Sequence, residues 1–287
     1  PHTDNSFEAT PLDLDGVAIA AKQVLHGASS VVLQELLALN GSSAGARPKA
    51  LVGVSENRQQ IIHGGTGYEE GCEPWIVKFP ASHDAIDAGS VEYVYALMAK
   101  LAGLSVPDVY LFPACEGPGY FATKRFDRNG NKRLHMHTVC GLLHADFRHP
   151  SLDYQDLIAL AFMLTRDIRE VERMYRLAVF NVLAHNRDDH AKNFSFLMDA
   201  TGQWKLSPAY DLTFSSGPGG EQSMMVMGEG RNPTVDHLVK LGLEAKLAKP
   251  LIAHIIDQTR SALAAWPELA KHHGVTDLTM QAIAKKL

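Results

Sequence analysis

The chain has 287 residues, 46% of them hydrophobic, and a formal net charge of -5. A chain of this length and composition can bury a large core, as one two-lobed domain or two closely packed ones, which excludes a wholly disordered protein. The acidic balance gives no reason to expect direct binding to nucleic acid or to an anionic membrane. The three scattered cysteines argue against a secreted disulfide framework and favour a reducing cytoplasm.

The sequence gives no sign of a membrane segment or a leader. It contains no run of about 18 apolar residues, and the first residues, Pro1–Asp4, are polar rather than signal-like. We therefore expect a cytoplasmic protein with no membrane partner. The chain starts with proline rather than methionine, as a processed or shortened chain would.

Short strands dominate the prediction for the first half of the chain. Residues 16–39 favour a helix, and a second helix is expected where apolar residues recur at three- and four-residue spacing from Val91 to Ala102. Turn signals such as Gly64-Gly65 and Asn129-Gly130 separate the strands. The predicted strands are 50–54, 60–62, 75–79, 109–112, 120–126 and 133–139.

From Leu152 onward the periodicity is mainly helical, in residues 154–164, 171–184 and a long run from 237 to 266. The glycines and methionines of residues 217–232 suggest a mobile loop or a partner-facing surface. We predict an α+β architecture with a cleft between two lobes. Residues 1–148 form a β-rich N-terminal lobe with one internal helix, and residues 149–287 form a mostly α-helical C-terminal lobe.

A dense polar cluster follows a predicted apolar helix at 185–193, and apolar residues resume directly after it. Phosphoryl transfer needs a carboxylate that orients and deprotonates a hydroxyl group, together with a nearby oxygen that holds Mg²⁺. Asp188 and Asn193, five residues apart on one loop, supply that pair. A second metal-binding carboxylate is expected after a short hairpin, and Asp211, 18 residues past Asn193, provides it. The cluster therefore predicts a site that uses ATP and Mg²⁺.

Two other interpretations of this cluster remain open. Asparagine, aspartate and lysine are common in turns, so the segment could be a solvated loop that ends a helix. Imidazole and carboxylate groups also bind Zn²⁺, which allows a metal hydrolase built from His185, Asp188, Asp189 and His190. The missing His-x-x-x-His pattern weakens that alternative. We expect His185 and His190 mainly to organise the loop through hydrogen bonds to the backbone.

The first half of the chain should then hold the nucleotide phosphates. The segment Gly41–Lys49 is small and flexible enough for backbone N–H groups to approach them, although ordinary loops have the same composition. Lys78 lies in an apolar predicted strand, where its ammonium group could reach the α- and β-phosphates, oriented by a helix glutamate such as Glu92. Lys78 could instead face water on an edge strand, and Glu92 could be a solvated helix residue. The loop residues expected at the phosphates are Ser43, Ala44 and Gly45.

Five segments of the chain together form a recognisable pattern. They are residues 42–49, 75–80, 91–107, 124–128, and 188–194 with Tyr210-Asp211. In order and separation they resemble the HipA-like serine/threonine kinases of bacterial toxin–antitoxin systems, in the kinase core of that family. The similarity runs from Gly41 to Ser216. It implies a two-lobed, protein-kinase-like α+β fold and a serine/threonine protein kinase activity.

The resemblance implies a role for each matching residue. Asp188 corresponds to the catalytic base, Asn193 and Asp211 to the Mg²⁺ ligands, and Lys78 to a contact of the ATP phosphates. The family autophosphorylates a serine of its glycine-containing loop, which ejects the loop and inactivates the kinase. Ser42 matches that serine best, and Ser43 is the alternative because two serines are adjacent here. Lys124 and Phe126 are expected at the hinge beside adenine. The other residues expected at the nucleotide site are Glu92, His190 and Lys192.

The resemblance also implies partners. The substrate would be an aminoacyl-tRNA synthetase, whose phosphorylation stalls translation. The usual partner would be a small, HipB-like, DNA-binding antitoxin, through which DNA is contacted only indirectly. Full HipA-type proteins carry a further N-terminal subdomain, for which little room exists before Gly41. The chain is therefore expected to be trimmed, or to resemble shorter members whose N-terminal subdomain is a separate protein.

Two other functions remain open. A small-molecule kinase of the sugar or aminoglycoside type uses the same order of aspartate, asparagine and aspartate, and it would transfer phosphate to small hydroxyl compounds. A catalytically silent module could keep the fold in order to hold an antitoxin or a DNA complex. The intact Asp188, Asn193, Asp211 and Lys78 argue against the silent module.

Overall fold

The computed structural model describes residues 12–25, 47–63, 71–81, 84–129, 132–145 and 152–287. The described residues divide into two compact units, one within residues 1–89 and 108–132, the other within residues 90–107 and 133–287. The boundaries between these units differ from the predicted lobe boundary at residue 148. That lobe boundary stays a prediction. In the described ranges, no helix has the length and apolar character that crossing a membrane would require.

The first unit is built on a five-stranded antiparallel sheet in the order β2-β1-β3-β5-β4. Successive residues of β1 and β3 include valine, isoleucine and tryptophan, which favour extended backbone when buried. The strands are β1 (Lys49–Ser55), β2 (Ile61–His63), β3 (Cys72–Lys78), β4 (Val109–Phe112) and β5 (Tyr120–Lys124). The predicted strands therefore exist, with ends displaced by up to three residues.

A helix, α1 (Leu14–Leu25), packs on the apolar core of this sheet through Leu14, Val17 and Ala18. Its first turn is held by Asp15, whose carboxylate accepts a 2.7 Å hydrogen bond from the Tyr120 hydroxyl and a 3.0 Å bond from the Cys115 amide. The prediction of a helix over 16–39 is confirmed up to Leu25, and the remainder lies outside the described residues.

The second unit is mostly helical. Its helices are α2 (Ala88–Leu101, whose first two residues belong to the first unit), α3 (Val139–Leu142), α4 (Tyr154–Thr165), α5 (Ile168–Leu183), α6 (Val235–Glu244), α7 (Lys249–Leu263), α8 (Trp266–His272) and α9 (Asp277–Ala284). Sequence signals set their ends: Asp153 and Asp167 cap α4 and α5, because their carboxylates accept hydrogen bonds from backbone amides of the first turn.

Helix α2 joins the core of this unit through Tyr95. The ring is fully buried and makes edge-on contacts with Phe180 and Trp266. Its hydroxyl donates a 2.7 Å hydrogen bond to the carbonyl of Ala184, the residue that caps the C-terminal end of α5. A buried hydroxyl needs such a partner, so this bond fixes α2 against the point where the polar cluster begins.

Residues 237–266, predicted to be mainly helical, lie in α6, α7 and the start of α8, so that prediction is confirmed, and the run is divided among three helices. Lys246 adopts a left-handed conformation with φ 61° after α6, and Pro250 and Pro267 occupy the first turns of α7 and α8. Proline lacks the amide hydrogen that a helix interior requires, whereas the first turn does not use it. The apolar spacing continues across the breaks because all three helices face the same core.

A small antiparallel sheet, in the order β10-β9-β8, also belongs to the second unit. Its strands are β8 (His135–Thr138), β9 (Ser195–Met198) and β10 (Trp204–Leu206). Two shorter strands, β6 (Arg128–Asn129) and β7 (Lys132–Arg133), pair with each other. β9 and β10 form the hairpin that the sequence places between Asn193 and Asp211.

Candidate active site

The polar cluster forms a loop directly after α5. The helix ends at Leu183, Ala184 caps it, and His185 turns the chain with a positive φ of 54°. The amide of Asn186 still bonds back to the Asn181 carbonyl at 2.9 Å, as is common where a left-handed residue ends a helix. A short 3₁₀ turn at Ala191–Asn193 then leads into β9. The loop is therefore held at both ends by regular structure.

Asp188 and Asn193 are joined within this loop. The side-chain amide of Asn193 donates a 2.9 Å hydrogen bond to the backbone carbonyl of Asp188. That bond uses the nitrogen end of the amide, so the oxygen end is the one that can bind a cation. Asp188 itself is exposed, as a base that must reach an incoming hydroxyl group would be.

Asp211 lies at the end of the segment that follows β10. Its neighbour Tyr210 ties that segment to the loop: the Tyr210 hydroxyl donates 2.6 Å to the Lys192 carbonyl and lies 2.5 Å from the Ser195 hydroxyl oxygen. The bonded residues flank Asn193 in sequence. Asp211 is exposed and has a φ of 58°, which is uncommon for a residue other than glycine and often marks functional sites.

The segment that carries Asp211 is also hydrogen-bonded to side chains of α5. The buried Glu170 accepts a 2.8 Å hydrogen bond from the Leu206 amide and pairs with Arg173, whose guanidinium also bonds to the Ser207 carbonyl at 3.2 Å. The Ala209 amide donates 2.7 Å to the Ser105 carbonyl. Asp211 is thus carried by a segment with backbone bonds on both sides, as precise placement of a ligand requires.

The oxygens of Asn193 and Asp211 suit Mg²⁺, which prefers oxygen ligands and commonly takes only one or two from the protein, the rest coming from phosphates and water. Their setting differs from that of a closed zinc site. In the part of the chain that the structure describes, no three histidine, cysteine, aspartate or glutamate side chains cluster around a possible metal position. The donor set therefore fits a cation shared with a nucleotide.

The histidines and the second aspartate of the zinc alternative have other contacts. His185 stacks on Phe214, and its Nδ1 lies 3.3 Å from the Ser215 carbonyl oxygen. Burial lowers the pKa of His185, so this imidazole is neutral near pH 7. His190 begins the 3₁₀ turn and is half-buried, and its carbonyl accepts the Asn193 amide at 2.8 Å. His185 thus bonds to the backbone as expected.

Asp189 is fully buried, unlike its exposed neighbour Asp188. Its carboxylate accepts hydrogen bonds from the Tyr154 hydroxyl, the Gln222 side chain and the amides of Ser223 and Met224. Burial raises the pKa of Asp189 to about 6, and the hydrogen bonds from Tyr154 and the two amides oppose that rise. The group is ionised at pH 7 and depends on these donors.

Residues 222–228 are part of the packed structure. Met224 and Val226 are buried, and the amides of Met227 and Gly228 donate to the Asp153 carboxylate at 3.2 and 2.7 Å. The expectation of a mobile or partner-facing loop over 217–232 is therefore wrong for this part. The buried carboxylates of Asp153 and Asp189 accept hydrogen bonds from this segment and hold it in the packed structure. No feature of the sequence predicted these contacts.

Lys78 lies at the end of β3, an interior strand of the five-stranded sheet, so the edge-strand interpretation was wrong. The side chain is half-buried, with Nζ 5.6 Å from the centre of the Phe121 ring. Glu92, on α2 of the other unit, is 2% exposed, which excludes a solvated helix residue. Both residues therefore occupy settings in which a charge needs a functional or structural partner.

The predicted hinge residues lie at the end of β5, which closes with Lys124, and directly after it. Lys124 forms a 2.5 Å ion pair with Glu73, and the amide of Arg125 bonds to the Pro74 carbonyl at 2.8 Å. Phe126 and Lys192 are half-buried. The residues expected at the phosphates or as the phosphorylated serine, Ser42, Ser43, Ala44 and Gly45, lie outside the described residues.

Comparison with known proteins assigns the chain to a protein family. The model of the HipA-like C-terminal domain family matches residues 41–266, which is more than half of the chain. The chain belongs to this family, and the predicted membership is confirmed.

Curated relatives agree with that assignment. "Putative kinase Y4mE" of Sinorhizobium fredii (strain NGR234) is 27% identical over 284 residues, which cover 90% of this chain and 63% of the relative. The serine/threonine-protein kinase toxin HipA of Shewanella oneidensis is 28% identical over 103 residues, which cover 36% of this chain and 22% of that protein. The chain thus spans less than two thirds of the length of these relatives.

Solved structures confirm the predicted kinase-like α+β fold. The Shewanella oneidensis MR-1 toxin–antitoxin complex of HipA, HipB and operator DNA aligns with 99% of this chain and 70% of the matched chain, at 20% identity and a TM-score of 0.69. The Helicobacter pylori proinflammatory kinase CtkA aligns with 77% of this chain and 90% of its own, at 14% identity and a TM-score of 0.50.

The raised pKa of Asp189 predicts a pH dependence of stability. Between the ordinary carboxyl pKa near 3.9 in the unfolded chain and about 6 in the folded one, the folded state binds more protons, so stability falls as pH rises through this window. Asp189→Asn removes this contribution. Relative to the variant, the wild type should lose about 2 to 3 kcal/mol of unfolding free energy between pH 4 and pH 7. Urea unfolding at several pH values measures it, and parallel curves would contradict the assignment.

The Tyr210 hydroxyl gives a second prediction. Tyr210→Phe removes the bonds to Lys192 and Ser195 and leaves the ring in place, so the chain should stay folded while the Asp211 segment loses its link to the loop. We expect the affinity for Mn²⁺ in the presence of an ATP analogue to fall about tenfold, as for other changes in groups that orient metal ligands. Titration followed by electron paramagnetic resonance measures this, and unchanged affinity would argue against the link.

Proposed function

We propose that the chain is a magnesium-dependent protein kinase that transfers the γ-phosphate of ATP to a serine or threonine hydroxyl. One observation carries the proposal: Asp188 and Asn193 are hydrogen-bonded on one loop, and Tyr210 bonds the segment that carries Asp211 to the residue preceding Asn193. A catalytic base and two oxygen ligands for Mg²⁺ are groups that phosphoryl transfer by protein kinases uses.

In this proposal Asp188 orients the acceptor hydroxyl group and takes its proton. Asn193 and Asp211 hold Mg²⁺, which when bound neutralises charge on the phosphates. Lys78 binds the α- and β-phosphates and Glu92 orients it. The remaining assignments are Lys124 and Phe126 beside adenine, Ser43, Ala44 and Gly45 at the phosphates, and His190 and Lys192 near the nucleotide.

The proposed biological setting is a bacterial toxin–antitoxin system in the cytoplasm. The fold is shared with a HipA solved together with HipB and operator DNA, which supports a small HipB-like antitoxin as partner, with DNA contacted through it. An aminoacyl-tRNA synthetase is the proposed substrate, by resemblance to the family. A separate N-terminal-subdomain protein is a further proposed partner, and the lobe division at residue 148 belongs to the same proposal.

Removal of the base or of a metal ligand should abolish transfer and leave the fold intact. Asp188→Ala and Asp211→Ala should each lower the rate of ATP-dependent phosphorylation at least about 10²-fold, the usual effect of losing a general base or a metal ligand. Both residues are exposed, so thermal unfolding should change little. Asp257→Ala, at an exposed position on α7, is the matched control and should keep full activity.

The acceptor is identified by incubating the wild type with labelled ATP and an extract that lacks the protein. Label on a synthetase supports the toxin assignment, whereas label on small hydroxyl compounds alone would support the small-molecule kinase. Full activity of either aspartate variant would overturn the assignment of the site.

Self-phosphorylation tests the loop assignment. The Ser42→Ala variant should lose most of the phosphate that the wild type incorporates on itself, because it lacks the hydroxyl group proposed to accept the phosphate. Ser43→Ala tests the alternative site. Mass spectrometry of the wild type locates the modified residue, and phosphate found on Ser43 alone would move the site by one position.

A further inference from the structure

Asp189 lies directly after the proposed catalytic base but is buried away from it, and none of the roles assigned above uses it. We propose that Asp189 is a positioning residue, whose carboxylate binds the catalytic loop to residues 222–224 and thereby fixes the backbone that presents Asp188. The inference rests on the proposed function for its catalytic consequence, while the structural link itself can be tested separately.

Each oxygen of the Asp189 carboxylate accepts two hydrogen bonds. Oδ2 accepts from the Tyr154 hydroxyl at 2.6 Å and from Gln222 Nε2 at 3.0 Å. Oδ1 accepts from the amides of Ser223 at 2.9 Å and Met224 at 3.2 Å. An ionised group without access to water needs this number of donors, because an unsatisfied buried charge costs several kcal/mol.

Further hydrogen bonds connect Tyr154, through Asn181, to Asn186, which precedes Asp188 in the sequence. Asn181, on α5, donates from Nδ2 to the Tyr154 hydroxyl at 2.9 Å, and Asn186 donates from its own Nδ2 to Asn181 Oδ1 at 3.0 Å. All three side chains are buried. The Asp189 network, defined as Tyr154, Asn181, Asn186, Asp189, Gln222, Ser223 and Met224, therefore holds the loop at residues 186 and 189.

Ser223 also holds the remaining neighbour of the base. Its amide and its hydroxyl both donate to the Arg187 carbonyl, at 3.1 and 3.0 Å. Residues 186, 187 and 189 are thus bonded to buried groups, and Asp188 is the exposed member of the run. A fixed backbone with one side chain projecting to solvent is the arrangement that pre-organises a base, because a displacement of about 1 Å can lower a rate about 10²-fold.

Two buried tyrosines allow a matched test. Tyr154→Phe removes one donor from Asp189 and keeps the ring, whereas Tyr175→Phe removes a hydroxyl that donates 3.0 Å to the Leu238 carbonyl, in the same core but outside the network. Tyr154→Phe loses two buried hydrogen bonds, the one to Asp189 and the one from Asn181, and Tyr175→Phe loses the one to Leu238. A merely structural role of Tyr154 would lower the stability of its variant without lowering kcat at a temperature where the variant is fully folded.

The first measurement is hydrogen exchange of the backbone amides, which does not depend on activity. In Tyr154→Phe, the amides of residues 186–189 and 223–224 should exchange about tenfold faster than in the wild type, whereas in Tyr175→Phe they should exchange at the wild-type rate. Equal exchange in the two variants at these amides would overturn the inference, whatever the activity of the wild type.

The second measurement is steady-state kinetics of phosphate transfer. Tyr154→Phe should lower kcat about tenfold, with the KM for ATP within about twofold of the wild type, and Tyr175→Phe should change neither. Asp189→Asn, which retains an acceptor for the two amides, should keep more of kcat than Asp189→Ala. A wild type without transfer would refute the proposed function, and equal kcat in an active wild type and Tyr154→Phe would refute the positioning role.

Discussion

A carboxylate that is buried and ionised constrains everything around it, since each of its oxygens must be given donors that water would otherwise supply. Asp189 is such a group, and it draws its donors from α4 and from residues 222–224. The loop between α5 and β9 can therefore close only if those distant segments pack against it. The exposed Asp188 owes its fixed backbone to this requirement.

Much of the fold follows from local signals that the sequence displays. β4 has the predicted bounds, Val109–Phe112, because its short apolar run is followed directly by Pro113. α4 begins at Tyr154, where the predicted helical run begins, and in the structure Asp153 caps its first turn. The run from 237 to 266 is helical as its spacing predicts, but apolar spacing reports which face is buried and not where one helix ends and the next begins.

The site was predictable only in part. The types, order and spacing of Asp188, Asn193 and Asp211 singled them out, since together they suit phosphoryl transfer. Nothing in the sequence distinguishes the buried Asp189 from its exposed neighbour, because adjacent aspartates have the same intrinsic properties. Its partners in 222–224 lie more than 30 residues along the chain in a glycine-rich stretch, where tertiary hydrogen bonds override a composition typical of mobile loops.

The measurement that bears most directly on the kinase assignment is a crystal structure of the chain with Mn²⁺ and a non-hydrolysable ATP analogue, with the cation located by its anomalous signal. The assignment predicts a cation bound by the Asn193 amide oxygen and the Asp211 carboxylate at about 2.1 Å, with the terminal phosphate facing Asp188. A triphosphate bound elsewhere, with Asn193 and Asp211 making no contact with the cation, would contradict it.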